Sequence, residues 1–112
     1  MNVLMVGTGG VGEAAAVIAK QRDPEGNWLK KMVLGNIDLP RAEAVARRSG
    51  DPRFVPLHVD AKDREGIRKI VEEHAIDLLF NACDPSFNET LFDTAFECGI
   101  RYMDMALSLS VP

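Results

Sequence analysis

The sequence predicts an α/β fold in which helices cover both faces of a doubly wound parallel sheet of about five strands. Two observations indicate this class. Short apolar runs alternate strictly with segments of helical periodicity, and the connectors suit right-handed crossovers between parallel strands. The first apolar run ends at a glycine, which is typical of a buried parallel strand. With 112 residues, the chain fits one domain with one core, residues 1–112.

The first half of the chain is predicted to hold three strands and two helices. The first helix runs from about Gly10 to Gln21 and carries small residues that allow close packing on a sheet. In the second helix Asp38 is a candidate N-cap, Pro40 lies in the first turn and Gly50 follows the end. The predicted strands are residues 2–6, 32–37 and 54–59, with a polar connector over 22–31.

The second half continues the alternation with two helices and two strands. Asp63 is predicted to cap the third helix, and Ser86 and Glu89 have capping-box spacing at the start of a fourth helix that stops at Gly99. The fourth helix carries more apolar side chains than one buried face needs, which indicates a surface covered by another domain or subunit. Those apolar residues are Phe87, Leu91, Phe92 and Phe96, and the strands are predicted at 76–80 and 101–105.

The composition excludes several classes of function. The formal net charge is −4, from 13 basic and 17 acidic residues, and no basic cluster is present, so nucleic acid and anionic membranes are poor candidate partners. No apolar run reaches the roughly 18 residues of a membrane span, and no charged leader precedes the first strand. Cys83 and Cys98 are interpreted as reduced thiols of a cytoplasmic protein. His58 and His74 lack partners at metal-ligand spacing, so no metal site is predicted.

A glycine motif of the form G-x-G-x-x-G directly follows the first strand and opens the first helix. Gly7 allows the tight turn, Gly9 lets a pyrophosphate approach the backbone, and Gly12 lets the helix pack closely on the strand. This context predicts a Rossmann-type dinucleotide site, with the phosphates at the helix N-terminus. The alternative is a glycine turn kept only for packing. The motif comprises Gly7, Thr8, Gly9, Gly10, Val11 and Gly12.

The end of the second strand is predicted to select the ribose of the cofactor. Asn36 stands at the natural position for a bond to a ribose hydroxyl, Ile37 follows, and Asp38 is either a ribose ligand or the helix cap. Arg41 is either a phosphate ligand or a solvated helix residue. Because Asn36 carries no charge against a 2′-phosphate and Ile37 carries none for it, weak discrimination between NAD and NADP is expected.

Two further loops complete the predicted site. Asp60 and Ala61 follow the third strand, where an Asp can accept a hydrogen bond from the adenine amino group; a turn role for Asp60 is the alternative. Asn81, Ala82 and Cys83 follow the fourth strand at the topological switch point, where small residues allow the nicotinamide ribose to approach. No residue has a persuasive catalytic role, so the catalytic residues are unknown at this stage.

Together these motifs resemble the N-terminal domain of saccharopine dehydrogenase-like proteins, which include saccharopine reductases and carboxynorspermidine synthases. The resemblance covers essentially the whole chain, and it implies a domain that binds NAD or NADP through the residues named above. It also implies a following mixed α/β domain that supplies the substrate pocket and completes the sheet. The matching segments are Gly7–Gly12, Asp38–Glu43, Val59–Ala61, Asn81–Pro85 and Tyr102–Asp104.

The resemblance implies an oxidoreductase that acts on amino-acid or polyamine-derived imines or secondary amines. The ending over 108–112 has neither a helix stop nor a polar tail and is interpreted as a cut inside a longer protein. The isolated chain is therefore expected to be inactive, and a homo-oligomer is possible. A non-catalytic, nucleotide-sensing regulatory domain is the alternative function. The sequence departs from the family pattern at Asn36 and Ile37, where relatives carry an Asp or a Ser-Arg pair, which leaves the choice of cofactor open.

Overall fold

A computed structural model of the chain describes residues 1–7, 14, 17–18, 20–23, 25–82 and 85–104. These residues form one sheet of five parallel strands. The strands are β1 (Asn2–Val6), β2 (Lys31–Asn36), β3 (Phe54–His58), β4 (Leu78–Asn81) and β5 (Arg101–Asp104). Their order across the sheet is β3-β2-β1-β4-β5. The predicted doubly wound α/β fold is confirmed.

Three helices are described from end to end, and residues 14, 17, 18 and 20–22 are also helical. These last residues fall in or next to the predicted first helix, whose other residues lie outside the described part of the chain. A 3-10 turn, Pro85–Phe87, leads into the last helix. The three helices are α1 (Leu39–Ser49), α2 (Arg64–Glu73) and α3 (Asn88–Cys98).

The central strand β1 is buried on both faces, as a parallel sheet between two helical layers requires. Leu4 and Val6 face the layer of α2 and α3, in a cluster with Ile67 and Leu91 among others. The alternate residues Val3 and Met5 face the layer of α1, in a cluster with Ala42 and Val45. This alternation along one strand therefore divides the core into two halves.

The helix ends agree only in part with the predicted caps. Asp63 accepts a hydrogen bond from the Gly66 N–H at 3.0 Å, as predicted for an N-cap. Gly50 and Gly99 end α1 and α3 in the left-handed conformation, with φ of 63° and 71°.

The predicted capping box of the fourth helix is wrong. The 3-10 turn intervenes, so α3 begins at Asn88 and Phe87, not Ser86, occupies the N-cap position. The Asn81 side chain at the end of β4 donates a hydrogen bond to Asn88 Oδ1 at 2.6 Å. This contact ties the first helical residue to the sheet.

The apolar surplus on α3 is exposed, as the sequence predicts. Leu91 is fully buried, but Phe92 and Phe96 are 51% and 76% exposed. Phe92 packs edge-on against Tyr102 of β5, with ring centroids 5.5 Å apart. Within the part of the chain that the structure describes, no helix is both long and apolar enough to cross a membrane.

The connector before β2 is an ordered structure built on Asp23. The buried Asp23 carboxylate accepts hydrogen bonds from the backbone N–H groups of Asn27, Trp28 and Leu29, at 2.9, 2.8 and 2.5 Å. The Arg53 guanidinium, which lies just before β3, donates to the main-chain oxygens of Asp23 and Leu29, at 2.7 and 2.9 Å. A segment that the sequence shows only as polar is therefore anchored by a buried acid.

Arg53 also forms an ion pair with Asp51 at 2.8 Å. The hydrogen bonds from the Arg53 side chain lower the pKa of Asp51 below its ordinary value of 3.8. Backbone N–H groups, that of Leu29 foremost, lower the pKa of Asp23 from the same value. In the folded protein both carboxylates therefore stay ionised to lower pH than in the unfolded chain.

These two lowered pKa values predict an acid-sensitive fold. A carboxylate with a lowered folded-state pKa stabilises the fold above its unfolded pKa, and this stabilisation is lost as the pH falls through the folded pKa. The free energy of unfolding should therefore fall below about pH 4. Urea unfolding from pH 3 to 7 measures it. Asp23→Asn should flatten this dependence, whereas Glu43→Gln, at an exposed carboxylate on α1, should leave it unchanged; equal slopes in both variants would contradict the prediction.

Candidate functional site

A cavity of about 230 Å³ opens at the carboxyl ends of β1 and β2. Its lining comes from the end of β1, the residues Asn36 and Ile37 at the end of β2, the loop over 59–62 after β3, and Phe87 before α3. In an open parallel sheet, ligands bind at this edge, next to the point where the strand order reverses. Here β1 lies between β2 and β4, so the cavity lies beside that switch point.

Gly7 ends β1 in a conformation that favours glycine. Its φ is 95°, and its N–H donates a hydrogen bond to the Gly35 oxygen on β2 at 2.7 Å. Gly7 therefore has the backbone conformation that a tight turn after β1 needs, and it lines the cavity. The other predicted pyrophosphate contacts lie outside the described residues; they are Thr8, Gly9, Gly10, Val11 and Gly12.

The end of β2 places Asn36 and Ile37 at the cavity, and their contact with a ribose stays a prediction. Asn36 is buried, and its Oδ1 accepts a hydrogen bond from the Asp38 N–H at 2.8 Å. Ile37 is 66% exposed at the cavity mouth, although it is a large apolar residue. Asp38 occupies the N-cap position of α1, but among the described residues its carboxylate makes no capping hydrogen bond. Arg41 is exposed on the first turn of α1.

The loop after β3 gives Asp60 the predicted turn role, and its contact with adenine stays a prediction. Asp60 Oδ1 accepts a hydrogen bond from the Lys62 N–H at 2.9 Å, and its main-chain oxygen accepts from the Asp63 N–H at 2.9 Å. Asp60 thus shapes a turn while it also lines the cavity, together with the buried Ala61. Among the described residues no hydrogen bond reaches its second oxygen, Oδ2, which can therefore act as an acceptor.

The end of β4 is tied to its neighbours. Asn81 is 1% exposed, and its side-chain N–H groups donate to Asn88 Oδ1 at 2.6 Å and to the Tyr102 hydroxyl at 3.3 Å. Ala82 N–H donates to the Val6 oxygen at 2.9 Å, so the strand continues beside β1 up to the switch point. The described contacts of the Asn81 amide are to the protein, so contact of Asn81 and Ala82 with a cofactor stays a prediction. Cys83 lies outside the described residues.

Sequence reasoning missed the contact between Gly35 and Val59. A Cβ atom added to Gly35 would lie 2.6 Å from Val59 Cγ2, far inside van der Waals contact. Val59 in turn is a buried part of the cavity lining. A glycine inside a predicted strand is the signal for such a close approach, and Gly35 in the second strand carried it.

Sequence reasoning also missed Lys62 and Phe87 as site residues. Both line the cavity, and the Lys62 ammonium lies over the Phe87 ring, 6.0 Å from its centroid. The apolar walls of the cavity suit a flat base, and Asp60 offers an acceptor at its edge. The residues present therefore fit the adenosine half of a dinucleotide.

Comparison with known proteins agrees with this assignment. The profile of the saccharopine dehydrogenase NADP binding domain matches residues 3–111. Carboxyaminopropylagmatine dehydrogenase from Synechocystis sp. is 26% identical over 105 residues, which cover 94% of this chain and 25% of that protein. Carboxynorspermidine synthase from Vibrio cholerae is 23% identical over an alignment of 119 positions, which covers 99% of this chain and 28% of that protein.

Among solved structures, saccharopine dehydrogenase (L-Glu forming) from Saccharomyces cerevisiae shares the fold, with a TM-score of 0.72 at 17% identity. That likeness covers 92% of this chain and 21% of the yeast chain. The chain thus spans about a quarter of the length of the curated relatives it matches. The chain belongs to the family of saccharopine dehydrogenase NADP-binding domains, and its cofactor is NAD or NADP.

Proposed function

We propose that this chain is the cofactor-binding part of an oxidoreductase that transfers hydride between NAD(P) and a carbon–nitrogen bond. The substrate class is an imine or secondary amine derived from an amino acid or a polyamine. Family membership supports hydride chemistry, which the cofactor supplies when bound. The names of the two curated relatives, one a carboxyaminopropylagmatine dehydrogenase and the other a carboxynorspermidine synthase, support the substrate class.

The cavity beside the switch point is the observation that carries the cofactor assignment. In the proposed arrangement Gly7 and the rest of its motif hold the pyrophosphate. Asn36, Ile37 and, from the free cap position, Asp38 surround the ribose of the adenosine half. The base lies between the apolar walls and reaches Asp60 and Ala61. Asn81, Ala82 and Cys83 then border the nicotinamide ribose.

The substrate pocket is proposed to lie in a following domain. The two curated relatives are roughly four times as long as the matched segment, which leaves room for one. The cavity of this chain offers Asp60 and Lys62 as its ionisable groups among the described residues, and both lie at the adenosine end. Near-contact between hydride donor and acceptor in a site closed to water needs a second surface over the nicotinamide. Phe92 and Phe96 are exposed in this chain, which supports the proposal that the following domain or a second subunit covers this surface.

The reduced state expected for the thiols supports a cytoplasmic location. Cys98 is a free cysteine, and Cys83 lies outside the described residues. The regulatory alternative, a sensor without catalysis, gains nothing from the comparisons, because the names of the matched relatives denote a dehydrogenase and a synthase.

A binding titration and two turnover assays test the proposal. Calorimetric titration of this chain with NADH and NADPH should show binding, and the chain alone should not oxidise either cofactor in the presence of an imine. The full-length protein that contains this chain should oxidise the cofactor with amino-acid or polyamine-derived imines, followed by the loss of nicotinamide absorbance. Turnover by the chain alone would overturn the assignment of chemistry to another domain. Binding without turnover by the full-length protein would favour the sensor.

A further inference from the structure

Lys62 is the one basic side chain among the described residues that line the cavity. Its backbone is fixed, because its N–H donates to Asp60 Oδ1 at 2.9 Å. Its side chain is exposed, and the ammonium is held over the ring of Phe87, 6.0 Å from the centroid. Phe87 itself is half-buried against the core cluster of α2 and α3, so it gives the ammonium a firm support.

Asp60 and Lys62 together present an acceptor and a donor at the same end of the cavity. The Asp60 carboxylate has one oxygen in the turn and the other available, whereas an ammonium is a donor only. The edge of adenine that carries the exocyclic amino group has the opposite pattern, because the amino group donates and the adjacent ring nitrogen accepts. The two side chains therefore complement this edge in their hydrogen-bonding character.

We propose that Lys62 is a specificity-determining residue that reads the base, by donating a hydrogen bond from its ammonium to the adenine ring nitrogen beside the amino group. This inference rests on the proposed cofactor site and adds a contact to it. Lys62 acts on the base and not on the 2′-phosphate, because it follows Asp60 on the loop after β3, whereas the ribose position lies at the end of β2. Lys62 therefore strengthens the binding of NAD and NADP alike.

Three substitutions separate the hydrogen bond from the charge. Lys62→Met keeps the apolar stem against Phe87 and removes the donor. Lys62→Gln restores an N–H donor without a charge. Lys69→Met, at an exposed lysine of α2 that does not line the cavity, is the matched control for a lost charge. Equal thermal midpoints in all four proteins establish that each variant is folded.

Calorimetric affinities for NADH and NADPH give the readout. Lys62→Met should weaken both about tenfold to a hundredfold, since a hydrogen bond to a charged group is lost. Lys62→Gln should bind more tightly than Lys62→Met, and Lys69→Met should bind like the natural chain.

Three results would overturn the inference: unchanged affinity in Lys62→Met, equal affinities in Lys62→Met and Lys62→Gln, or a loss confined to NADPH. The last would assign Lys62 to the 2′-phosphate instead. Failure of the natural chain to bind either cofactor would overturn the proposed site itself, so the two failures are distinguishable.

Discussion

Gly35→Ala is expected to lower the free energy of unfolding by about 1–3 kcal/mol, because the added methyl group overpacks a closed core. The new Cβ would lie 2.6 Å from Val59 Cγ2 and 2.9 Å from Val59 Cβ, and 3.3 Å from the Met5 oxygen. Both neighbours are buried, so the added methyl group must displace one of them, and Val59 has the cavity beside it. Since Val59 lines the cavity, its displacement should also weaken cofactor binding. Urea unfolding and calorimetry of the same variant measure the two effects.

A double-mutant cycle with Val59→Ala tests the cause. Val59→Ala alone should destabilise the fold, since it removes buried methyl groups. It also removes Cγ2, so Gly35→Ala should cost at least about 0.5 kcal/mol less in that background than in the natural chain. Additive effects of the two substitutions on the free energy of unfolding would show that the clash with Val59 is not the cause of the destabilisation by Gly35→Ala.

Gly9→Val is expected to abolish cofactor binding while the protein stays folded. The motif predicts that the backbone of Gly9 lies against the pyrophosphate, where a branched side chain would occupy the space of a phosphate oxygen. We expect a loss of affinity for NADH and NADPH of about a hundredfold or more, which corresponds to about 2.7 kcal/mol. Calorimetric titration measures the affinity, and a thermal melt confirms the fold.

Ala14→Val is the matched control for Gly9→Val. Ala14 is an exposed helical residue outside the glycine motif, so the same side chain should be tolerated there with little change in binding. An affinity of Gly9→Val within threefold or so of the Ala14→Val value, by the same titration, would place the pyrophosphate elsewhere.

The strand and helix order was predictable because each signal is local. The apolar run that ends at Gly7 predicts β1 over 2–6, and the structure places it at Asn2–Val6. The left-handed ends at Gly50 and Gly99 follow from glycine alone. The start of α3 was missed because the 3-10 turn before Asn88 is fixed by a side chain of β4, seven residues away in sequence.

Contacts between distant segments were not predictable from the sequence. The hydrogen bonds of Arg53 join residues 24 and 30 positions apart, and the sequence shows only scattered charges there. Lys62 directly follows Asp60 and Ala61, which were predicted as site residues. Its position in the cavity, however, depends on Phe87, which belongs to the 3-10 turn between β4 and α3. Residues with a role in the local backbone were therefore identified more readily than residues, such as Lys62, whose role depends on a side chain from a distant segment.

The hydrogen bonds of Arg53 lie at the opposite end of β2 and β3 from the cavity, yet they help to fix the positions of the residues that line it. The Arg53 oxygen accepts from Met32 N–H at 2.9 Å at one end of the β2–β3 pair, and Val59 N–H donates to the Asn36 oxygen at 3.0 Å at the other. The two contacts are about 13 Å apart along β2. A slip of one residue would turn every side chain of β3 to the other face and carry Val59 away from Gly35. The long connector before β2 is compatible with this register because its Asp23 and Leu29 oxygens accept hydrogen bonds from Arg53, which immediately precedes β3.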